Sequence, residues 1–314
     1  NSKIEAKGPN GGGTVLVGGD WQGSGEMRQA TKVTMEAGAT IDASATDKGD
    51  GGKVVLWSDV HNADSVTQVN GSINAKAGLN GGNGGKVETS GHQLKVGSFA
   101  QVDTQGGQWL LDPYNFTVAA GGDITGAQLG NALNSGNVTI QTFASGNATA
   151  TGGGLTTSSS AASGNGDISI NDAVTWSSAN VLNLKAVGAI NGSGNLTMSS
   201  TAAGAGVVFE MGADGTYMGT LNGYGITAPL ASFTKKGVGT LTLAPTTTST
   251  TSLKSTISEG ILKLGGSSKP LGDGRFEVTV NSGATLDLVS YLTFGNSNSK
   301  LTLNGLGVGG NGAM

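Results

Sequence analysis

The chain has 314 residues, including 57 glycines, five prolines and no cysteine. The lack of cysteine excludes disulfides and thiolate metal sites. A formal net charge of −4 gives no electrostatic reason to expect a nucleic acid or an anionic membrane as partner, and no apolar run approaches a transmembrane length. With 36% hydrophobic and only 12% charged residues, simple disorder is disfavoured. We expect a folded chain that orders its glycines through extensive backbone pairing.

The first third of the chain repeats itself. Residues 33–58 resemble residues 66–90, and a shorter version of the same pattern spans 94–111. Gly-Gly-Lys occurs at 51–53 and again at 84–86, an offset of 33 residues. Such a repeat, with a period of some tens of residues, is typical of solenoid proteins. We interpret Gly-Gly-Lys as a strand entrance, because valine follows it where a phosphate-binding loop needs serine or threonine.

Within each unit, apolar and polar residues alternate, as at Val33 and Met35, and glycine with Asn or Asp separates the short strands. This pattern predicts an all-β parallel β-helix of about a dozen coils, about 50–70 Å long. An antiparallel β-sandwich is the alternative. In the β-helix, we expect inward residues to stack: Val33, Val66 and Val96 in adjacent coils, and Ile41 over Ile73.

The segment 106–118, Gly-Gly-Gln-Trp-Leu-Leu-Asp-Pro-Tyr-Asn-Phe-Thr-Val, concentrates bulky side chains in a chain with only 5% aromatic residues. We interpret it as a plug in the core, centred on Trp109 and bent at Asp112-Pro113. A short helix is predicted over 125–134, since Thr125 suits an N-cap, Leu129 and Leu133 share a face and Gly136 suits a stop.

The remaining chain alternates again, apart from the Ser-, Thr- and Gly-rich stretch 144–166, which we expect to form a surface loop or a disordered insertion. We divide the rod into three segments. Residues 1–118 carry the repeat, 119–230 carry the helix and the Ser/Thr/Gly-rich stretch, and 231–314 carry a second type of strand repeat.

Two resemblances follow from particular motifs. Through GGTVLVGGD, GGKVVLWSD, GGNGGKVETSG and GGQWLLDPYNFTV, residues 12–118 resemble the segment that follows the secretion domain in filamentous-haemagglutinin-like exoproteins, which are adhesins of the two-partner secretion route. Through ISEGILKLGG, LGDG and VNSGATLDL, residues 237–303 resemble the strand repeats of autotransporter passengers. The resemblance implies a right-handed parallel β-helix, a secreted or bacterial cell-surface location, an outer-membrane secretion partner during export, and adhesive work.

Residues for catalysis or metal binding are sparse. The only histidines, His61 and His92, lie at corners after strands. A catalytic triad with histidine, or a metal site with several imidazole ligands, is therefore disfavoured. The densest aspartate groups are Asp42, Asp47, Asp50 and Asp59, and then Asp167 with Asp172. Their simplest roles are turns and solubility, with calcium binding at Asp47 and Asp50, or glycosidase chemistry, as the alternatives. Residues 305–310 match G-x-G-x-x-G, the pattern of dinucleotide-binding loops, but the high glycine content alone explains this match.

Asn-x-Ser/Thr sequences offer a possible modification. They begin at Asn70, Asn115, Asn137, Asn147, Asn191 and Asn195. A chain rich in these residue types produces such matches by chance, and glycosylation is the alternative.

We therefore expect a structural and adhesive segment of a large secreted exoprotein, not an enzyme. No catalytic, cofactor-binding or metal-binding residue is assigned, and no cofactor is expected. The expected partner is a cell-surface glycan or protein, or copies of the chain itself, without nucleic acid and without membrane insertion. Two alternatives remain: a self-associating extracellular filament or matrix subunit, and a β-helix polysaccharide hydrolase or lyase. An acidic pair lining one cleft would favour the enzyme, whereas acids scattered among turns would favour the adhesin.

Overall fold

The chain folds as a parallel β-helix, which confirms the fold class predicted from the repeat. The computed structural model describes residues 2–143, 166–194, 196–223, 232–246, 253–265, 270–271, 277–289 and 299–314. The chain winds repeatedly through one long sheet and shorter side sheets, and adjacent strands pair in parallel. We call one strand of the long sheet, together with the side strands that follow it, a coil.

Eleven strands form the long sheet, one from each successive coil. They are β2 (Thr14–Val17), β5 (Lys53–Trp57), β8 (Lys86–Ser90), β11 (Gln108–Asp112), β13 (Asn137–Gln141), β16 (Val181–Ala186), β19 (Gly206–Met211), β22 (Ser232–Lys236), β24 (Lys254–Ile257), β26 (Glu277–Val280) and β28 (Lys300–Leu303). At the usual spacing of about 4.8 Å between paired strands, the sheet extends about 50 Å. This length agrees with the predicted rod.

Four shorter sheets form the sides of the rod. Those of the first coils contain β1 (Lys3–Glu5), β4 (Thr40–Asp42), β7 (Ser72–Asn74) and β10 (Gln101–Asp103) in one sheet and β3 (Lys32–Met35), β6 (Val66–Val69) and β9 (Gln93–Val96) in another. Those of the later coils contain β12 (Phe116–Val118), β14 (Ile168–Ile170), β17 (Ile190–Gly192), β20 (Gly215–Tyr217), β23 (Thr240–Leu243), β25 (Gly260–Leu264) and β27 (Ala284–Asp287) in one sheet and β15 (Val174–Trp176), β18 (Thr197–Ser200) and β21 (Thr220–Gly223) in another. Single 3-10 turns occupy Trp21–Gly23 and Val308–Gly310.

The predicted helix is confirmed as α1 (Gly126–Ser135). Thr125 and Gln128 cap its start through two reciprocal hydrogen bonds. The Thr125 hydroxyl accepts the backbone N–H of Gln128 at 3.2 Å, and the Gln128 side chain accepts the backbone N–H of Thr125 at 2.9 Å. This capping box satisfies two donors that a helix start leaves unpaired. Gly136 ends the helix in an extended conformation.

Helix α1 takes the place of a strand in the fourth coil. It packs between β10 of the coil before and β15 of the coil after. Leu129 and Leu133, predicted to share a face, are fully buried. A Cβ on Gly130 would lie only 2.1 Å from the carbonyl oxygen of Thr175. This close approach explains why the helix tolerates a glycine in its interior.

The register of the first coils confirms the 33-residue repeat. Lys53 pairs with Lys86 at the starts of β5 and β8, so Gly-Gly-Lys is a strand entrance. Ile41 pairs with Ile73, as predicted, and both side chains are buried. The repeat therefore reflects one coil winding onto the next.

The predicted stack of Val33, Val66 and Val96 is wrong. Val33 pairs with Thr67, whereas Val96 pairs with Val69 and Val66 begins β6 in a half-buried position. The polar Thr67 can occupy this buried position because its hydroxyl has hydrogen-bond partners. Thr67 Oγ1 lies 2.9 Å from Ser58 Oγ and 2.7 Å from the carbonyl oxygen of Ser90. The prediction relied on the alternation of apolar residues alone, and it therefore placed the register of β6 one position away from the observed one.

The predicted plug is confirmed at its centre. Trp109 is 3% exposed and lies between Val87 and Val138 in the inner ladder of the long sheet. Its indole N–H donates to Thr89 Oγ1 at 3.0 Å. Such a buried ring with a satisfied polar atom is a strong anchor for neighbouring coils. Tyr114, by contrast, is half-buried on the outside of the rod.

The proposed segment boundaries remain predictions. The long sheet continues without a break past residue 118, and residue 230 lies outside the described residues. The Ser/Thr/Gly-rich stretch 144–166 also lies outside them, except for the buried Gly166.

Candidate functional site

The six aspartates selected from the sequence are dispersed among turns. Asp167 Oδ1 accepts the backbone N–H of Ala189 at 2.7 Å, and Asp172 Oδ2 accepts that of Gly126 at 2.8 Å. Asp42 and Asp59 each accept the N–H two residues ahead. Asp42 and Asp59 therefore serve as local turn acceptors, whereas the other four accept hydrogen bonds from residues of other coils, and the structure does not bring the six together in one cleft.

Asp47 and Asp50, considered for calcium, bind asparagines of the next coil instead. Asp47 Oδ1 accepts the Asn80 side-chain amide at 2.5 Å. Asp50 Oδ1 accepts both the backbone and side-chain N–H groups of Asn83, at 2.8 and 3.1 Å. Within the described part of the chain, no group of three or more His, Asp or Glu side chains is placed to hold a metal ion.

Four of the asparagines in Asn-x-Ser/Thr sequences tie the chain across coils. Asn70 accepts the N–H of Phe99 at 2.9 Å, and Asn137 accepts that of Val181 at 2.8 Å. Asn115 and Asn191 make equivalent bonds. These amides have a structural role at the corners of the β-helix. Residues 147 and 195 lie outside the described residues.

The two histidines meet two other aromatic residues. His92 stacks on Tyr114 with ring centroids 4.6 Å apart and planes 10° from parallel. Phe143 lies edge-on to His61, Tyr114 and His92, at 5.4, 5.6 and 6.1 Å. We call these four residues the aromatic cluster. They come from four successive coils and follow strands of the long sheet at one corner of the rod.

Beside this cluster, the outer face of the long sheet is unexpectedly buried. Val55 and Trp57 point away from the inner core, yet they are 0% and 2% exposed. With Val60 they form a second apolar cluster, against which Leu16, Trp21 and Phe143 pack. The first coils therefore carry a second, outer layer of apolar packing.

Residues 18–30, which we call the strap, cover this outer face. The N–H of Ala30 donates to the carbonyl oxygen of Gly18 at 2.7 Å and closes the loop at its base. Gln29 accepts the indole N–H of Trp57 at 2.9 Å. The strap backbone approaches this indole so closely that a Cβ on Gly19 would lie 2.3 Å from it. Glycine is thus required for the strap to lie flat on the ring.

Two carboxyl groups, Glu88 and Asp112, are buried beneath or beside the strap. Glu88 lies opposite Leu110, and Ser90 lies opposite Asp112, so the acids occupy adjacent strands of the same face, two positions apart. Glu88 is 0% exposed and Asp112 is 4% exposed. Two unpaired carboxylates in so dry a place would be costly.

Hydrogen bonds satisfy Glu88 well and Asp112 less fully. Glu88 accepts the N–H of Gln22 in the strap at 2.8 Å and the hydroxyl of Ser90 at 2.9 Å. Asp112 bonds with the Gln141 side chain, but its Oδ1 has no hydrogen-bond partner among the described residues. Burial raises the pKa of Glu88 to about 7, despite the opposing hydrogen bonds. Burial and the neighbouring Glu88 charge raise the pKa of Asp112 well above its usual range.

An ion pair fixes the strap near these acids. Lys53 Nζ lies 2.9 Å from Asp20 Oδ1, and the same oxygen accepts the N–H of Trp21 at 2.6 Å. The charge of Lys53 lowers the pKa of Glu88, whereas that of Asp20 raises it. Because their pKa values are raised, Glu88 and Asp112 can keep a proton at pH values at which ordinary carboxyl groups are ionised. With Glu88 0% and Asp112 4% exposed, the described part of the chain leaves no open surface on which a sugar ring meets both carboxyls.

The acid pair was missed in the sequence for a physical reason. Glu88 occupies an alternating position that normally faces solvent, and Asp112 was interpreted only as part of a bend. The available signal was the outward apolar residues Val55, Trp57 and Leu110, which make little sense unless something covers them.

No protein-family model and no curated protein matches this sequence. Among the described residues, no helix has the length and apolar character needed to span a membrane. The architecture and the chemistry of the sites are therefore the grounds for a functional proposal.

Proposed function

We propose that the chain is a structural and adhesive segment of a large secreted bacterial surface exoprotein, which attaches to cells, surfaces or matrix. The observation that carries the proposal is the unbroken long sheet of a rod in which the aspartates selected from the sequence serve turns and contacts between coils. A rod of this kind presents side chains over a long surface. The resemblance of residues 12–118 to filamentous-haemagglutinin-like exoproteins supports the same function.

The proposed partners are a cell-surface glycan or protein, or copies of the chain itself. During export, an outer-membrane secretion partner is proposed from the same resemblance. The proposed location is the bacterial surface or the surrounding medium.

A self-associating filament or matrix subunit is the second candidate. Ile4 in the outermost strand β1 is 43% exposed, and Leu303 and Leu306 near the other end are 43% and 74% exposed. Unpaired strand edges with exposed apolar residues favour pairing with another chain. Sedimentation over a range of concentrations tests this candidate, because a filament subunit grows in mass with concentration and a monomer does not.

A polysaccharide hydrolase or lyase is the third candidate, and the pair of Glu88 and Asp112 is the observation in its favour. Glycosidases use two carboxyl groups with separated pKa values. The strap and the burial of both groups argue against it. Loss of polysaccharide cleavage in a Glu88→Gln, Asp112→Asn variant, after cleavage by the wild-type chain, would replace our proposal with this one.

Attachment of the isolated chain tests the main proposal. Beads coated with folded chain are expected to retain bacterial or host cells, or matrix, whereas beads coated with urea-unfolded chain retain few. Equal retention by both would show that the fold contributes nothing and would overturn the adhesive function.

A further inference from the structure

The peptide bond between Asp112 and Pro113 combines two features that packing does not explain. It is the only Asp-Pro sequence in the chain, and it follows directly on β11 of the long sheet. Both residues are buried, yet Asp112 Oδ1 has no hydrogen-bond partner among the described residues. A buried oxygen without a partner calls for a chemical explanation, and the adjacent bond supplies one.

The surroundings of the Asp112 carboxyl group keep it protonated at pH values at which ordinary carboxyl groups are ionised. The titratable side chains on the elements around it are Lys53, Lys86, Glu88 and Lys185 in the long sheet, Asp20, Glu26 and Arg28 in the strap, and His92 and Tyr114 at the corner. Among them, the charge of Glu88 acts together with burial to hold the pKa of Asp112 well above its usual range. The next strand supplies the neutral Gln141. The folded chain therefore holds a neutral carboxyl group beside a bond to proline.

An Asp-Pro bond is easier to break than other peptide bonds for two chemical reasons. The aspartate side chain reaches the backbone carbonyl carbon of its own residue through a five-membered ring, so the attack is intramolecular. The proline nitrogen belongs to a tertiary amide without an N–H group, and it accepts a proton more readily than other peptide nitrogens as the bond breaks. In an ordinary chain the reaction needs acid, because ionisation of the carboxyl group removes the proton that the leaving nitrogen requires.

Two backbone hydrogen bonds to the preceding coil hold this peptide bond in place. The carbonyl oxygen of Asp112 accepts the N–H of Gly91 at 3.4 Å. On the other side of the proline, the N–H of Tyr114 donates to the carbonyl oxygen of His92 at 3.2 Å. Attack on the Asp112 carbonyl carbon places negative charge on its oxygen, where the Gly91 N–H stabilises it. We expect this long contact to shorten as the charge develops.

We propose that the folded chain cleaves its own backbone between Asp112 and Pro113. A carboxyl oxygen of Asp112 forms a C–O bond with the backbone carbonyl carbon of the same residue. The C–N bond to Pro113 breaks, and the carboxyl proton moves to the proline nitrogen. The products are a cyclic anhydride at residue 112 and a chain that begins with the free amine of residue 113. Water then adds to the anhydride and leaves a C-terminal aspartate with two carboxyl groups.

The two fragments should stay together in the rod after cleavage. Strand β11 remains paired with β8 and β13, and β12 remains paired with β14. The break thus lies at a corner and removes no strand from a sheet. Cleavage becomes visible only when the rod is denatured. This activity goes beyond the proposed adhesive function and does not depend on it.

Incubation of the folded, full chain at about pH 6, where ordinary aspartates are ionised, tests the inference. Samples are denatured and searched by mass spectrometry for a fragment that ends at Asp112 and one that begins at Pro113. The same chain unfolded in urea is the comparison. The protonated fraction of an ionised carboxyl group grows about tenfold for each pH unit by which its pKa rises, so the folded chain should cleave at least about tenfold faster. Absence of both fragments after several weeks, or equal rates in the two states, would overturn the inference.

Three variants, each checked for folding by circular dichroism, assign the reaction. Asp112→Asn keeps the size and neutrality of the side chain but lacks the carboxyl group, and it should release no fragment. Pro113→Ala keeps the carboxyl group and should slow cleavage. Asp64→Asn, in an exposed loop, is the matched control and should cleave at the wild-type rate.

Cleavage of Asp112→Asn at the wild-type rate would identify a contaminating protease as the cause, and the inference would fail. If Asp112→Asn does not fold, Pro113→Ala decides in its place, because cleavage at the wild-type rate without the proline would equally overturn the inference.

Discussion

The two ends of the long sheet share an inner face but differ on the outer face. In the first coils, outward residues such as Val55 and Glu88 are buried under the strap. In the last coils, the outward positions form a half-buried ladder of Thr234, Thr256 and Thr279 in register. Threonine suits an uncovered sheet surface, because its branched side chain packs on the pleat and its hydroxyl stays wet. The outer layer is therefore a local addition to a common scaffold.

Buried ionisable groups differ in the same way between the two regions. In the first coils, Glu88 and Asp112 lie on the outer face, and Asp112 Oδ1 has no partner among the described residues. In the later coils, Lys235 lies in the inner ladder between Phe209 and Ile257 and is 0% exposed. One region thus buries acids outside its core, and the other buries a base within it.

Lys235 is satisfied more completely than the acids. Its ammonium group donates to the carbonyl oxygens of Lys236, Gly237 and Glu259 at 2.8, 2.7 and 3.2 Å. Burial nevertheless lowers the pKa of Lys235 to about 8, against the opposing charges of nearby acids. We therefore expect substitutions in the inner core to lower stability similarly in both regions. A rise in pH, by contrast, should destabilise the first coils and stabilise the later ones.

Truncation of an inner aromatic residue should give the largest effect, similar in size in both regions. Trp109→Ala and Phe209→Ala should each lower the free energy of unfolding of the local coils by about 3–5 kcal/mol, through lost burial and a cavity. Coils couple mainly to their neighbours. Hydrogen exchange followed by mass spectrometry should therefore show lost protection near residue 109 in one variant and near 209 in the other. Uniform loss along the rod would contradict this coupling.

A glycine at a strand entrance should be the next most sensitive position. A Cβ on Gly85 would lie 2.3 Å from the carbonyl oxygen of Gly52 in the coil before. Gly85→Ala should thus cost about 2–3 kcal/mol through backbone displacement. Gly265→Ala is the matched control in the later coils, because its Cβ would meet only ordinary contacts at 3.5 Å. Urea unfolding compares the two, and equal costs would refute a special role for the entrance glycines.

Much of the inner face was predictable from the sequence because its signals are local and repeated. The spacing of Gly-Gly-Lys gave the coil length, and the alternation around Ile41 gave its partner Ile73. The cap at Thr125 gave the start of α1. Each depends on neighbours in sequence or on an exact repeat, so no knowledge of the tertiary contacts was needed.

The outer layer was not predictable because its contacts are specific to tertiary structure. The strap meets Glu88 across a sequence separation of 66 residues, and the aromatic cluster gathers residues from four coils. The register at Thr67 failed for a related reason, since its hydroxyl finds partners that only the folded corner supplies. Alternation identifies which side a residue faces but not what covers that side.

Rising pH should destabilise the first coils between about pH 4.5 and 7, the range set by Glu88. Its pKa in the folded chain lies above the ordinary value, so the protonated form favours folding and stability is lost as the group ionises. Glu88→Gln stays neutral and should raise the free energy of unfolding by about 2 kcal/mol near pH 8, with little change near pH 4. Urea unfolding at both pH values measures this, with exposed Glu277→Gln as the control. Equal gains at both pH values would exclude ionisation as the cause.

Lys235 should produce the opposite response to pH in the later coils. Its pKa is lowered from the ordinary 10.5 to about 8 by burial, so the folded chain releases this proton before the unfolded chain does. Stability should therefore rise with pH between about 8 and 10.5. Lys235→Met removes this rise. Near pH 7, its net effect should be only about 1 kcal/mol, because relief of a buried charge is offset by three carbonyl groups that lose their donor.

Urea unfolding from about pH 7 to 10.5, followed by circular dichroism, measures the Lys235 response. Lys254→Met provides the control, since Lys254 is an exposed residue on the neighbouring strand β24. The control should keep the wild-type rise in stability, whereas Lys235→Met should lose it. If both variants keep the rise, another group titrates in this range, and the buried base is not what distinguishes the later coils from the first ones in their response to pH.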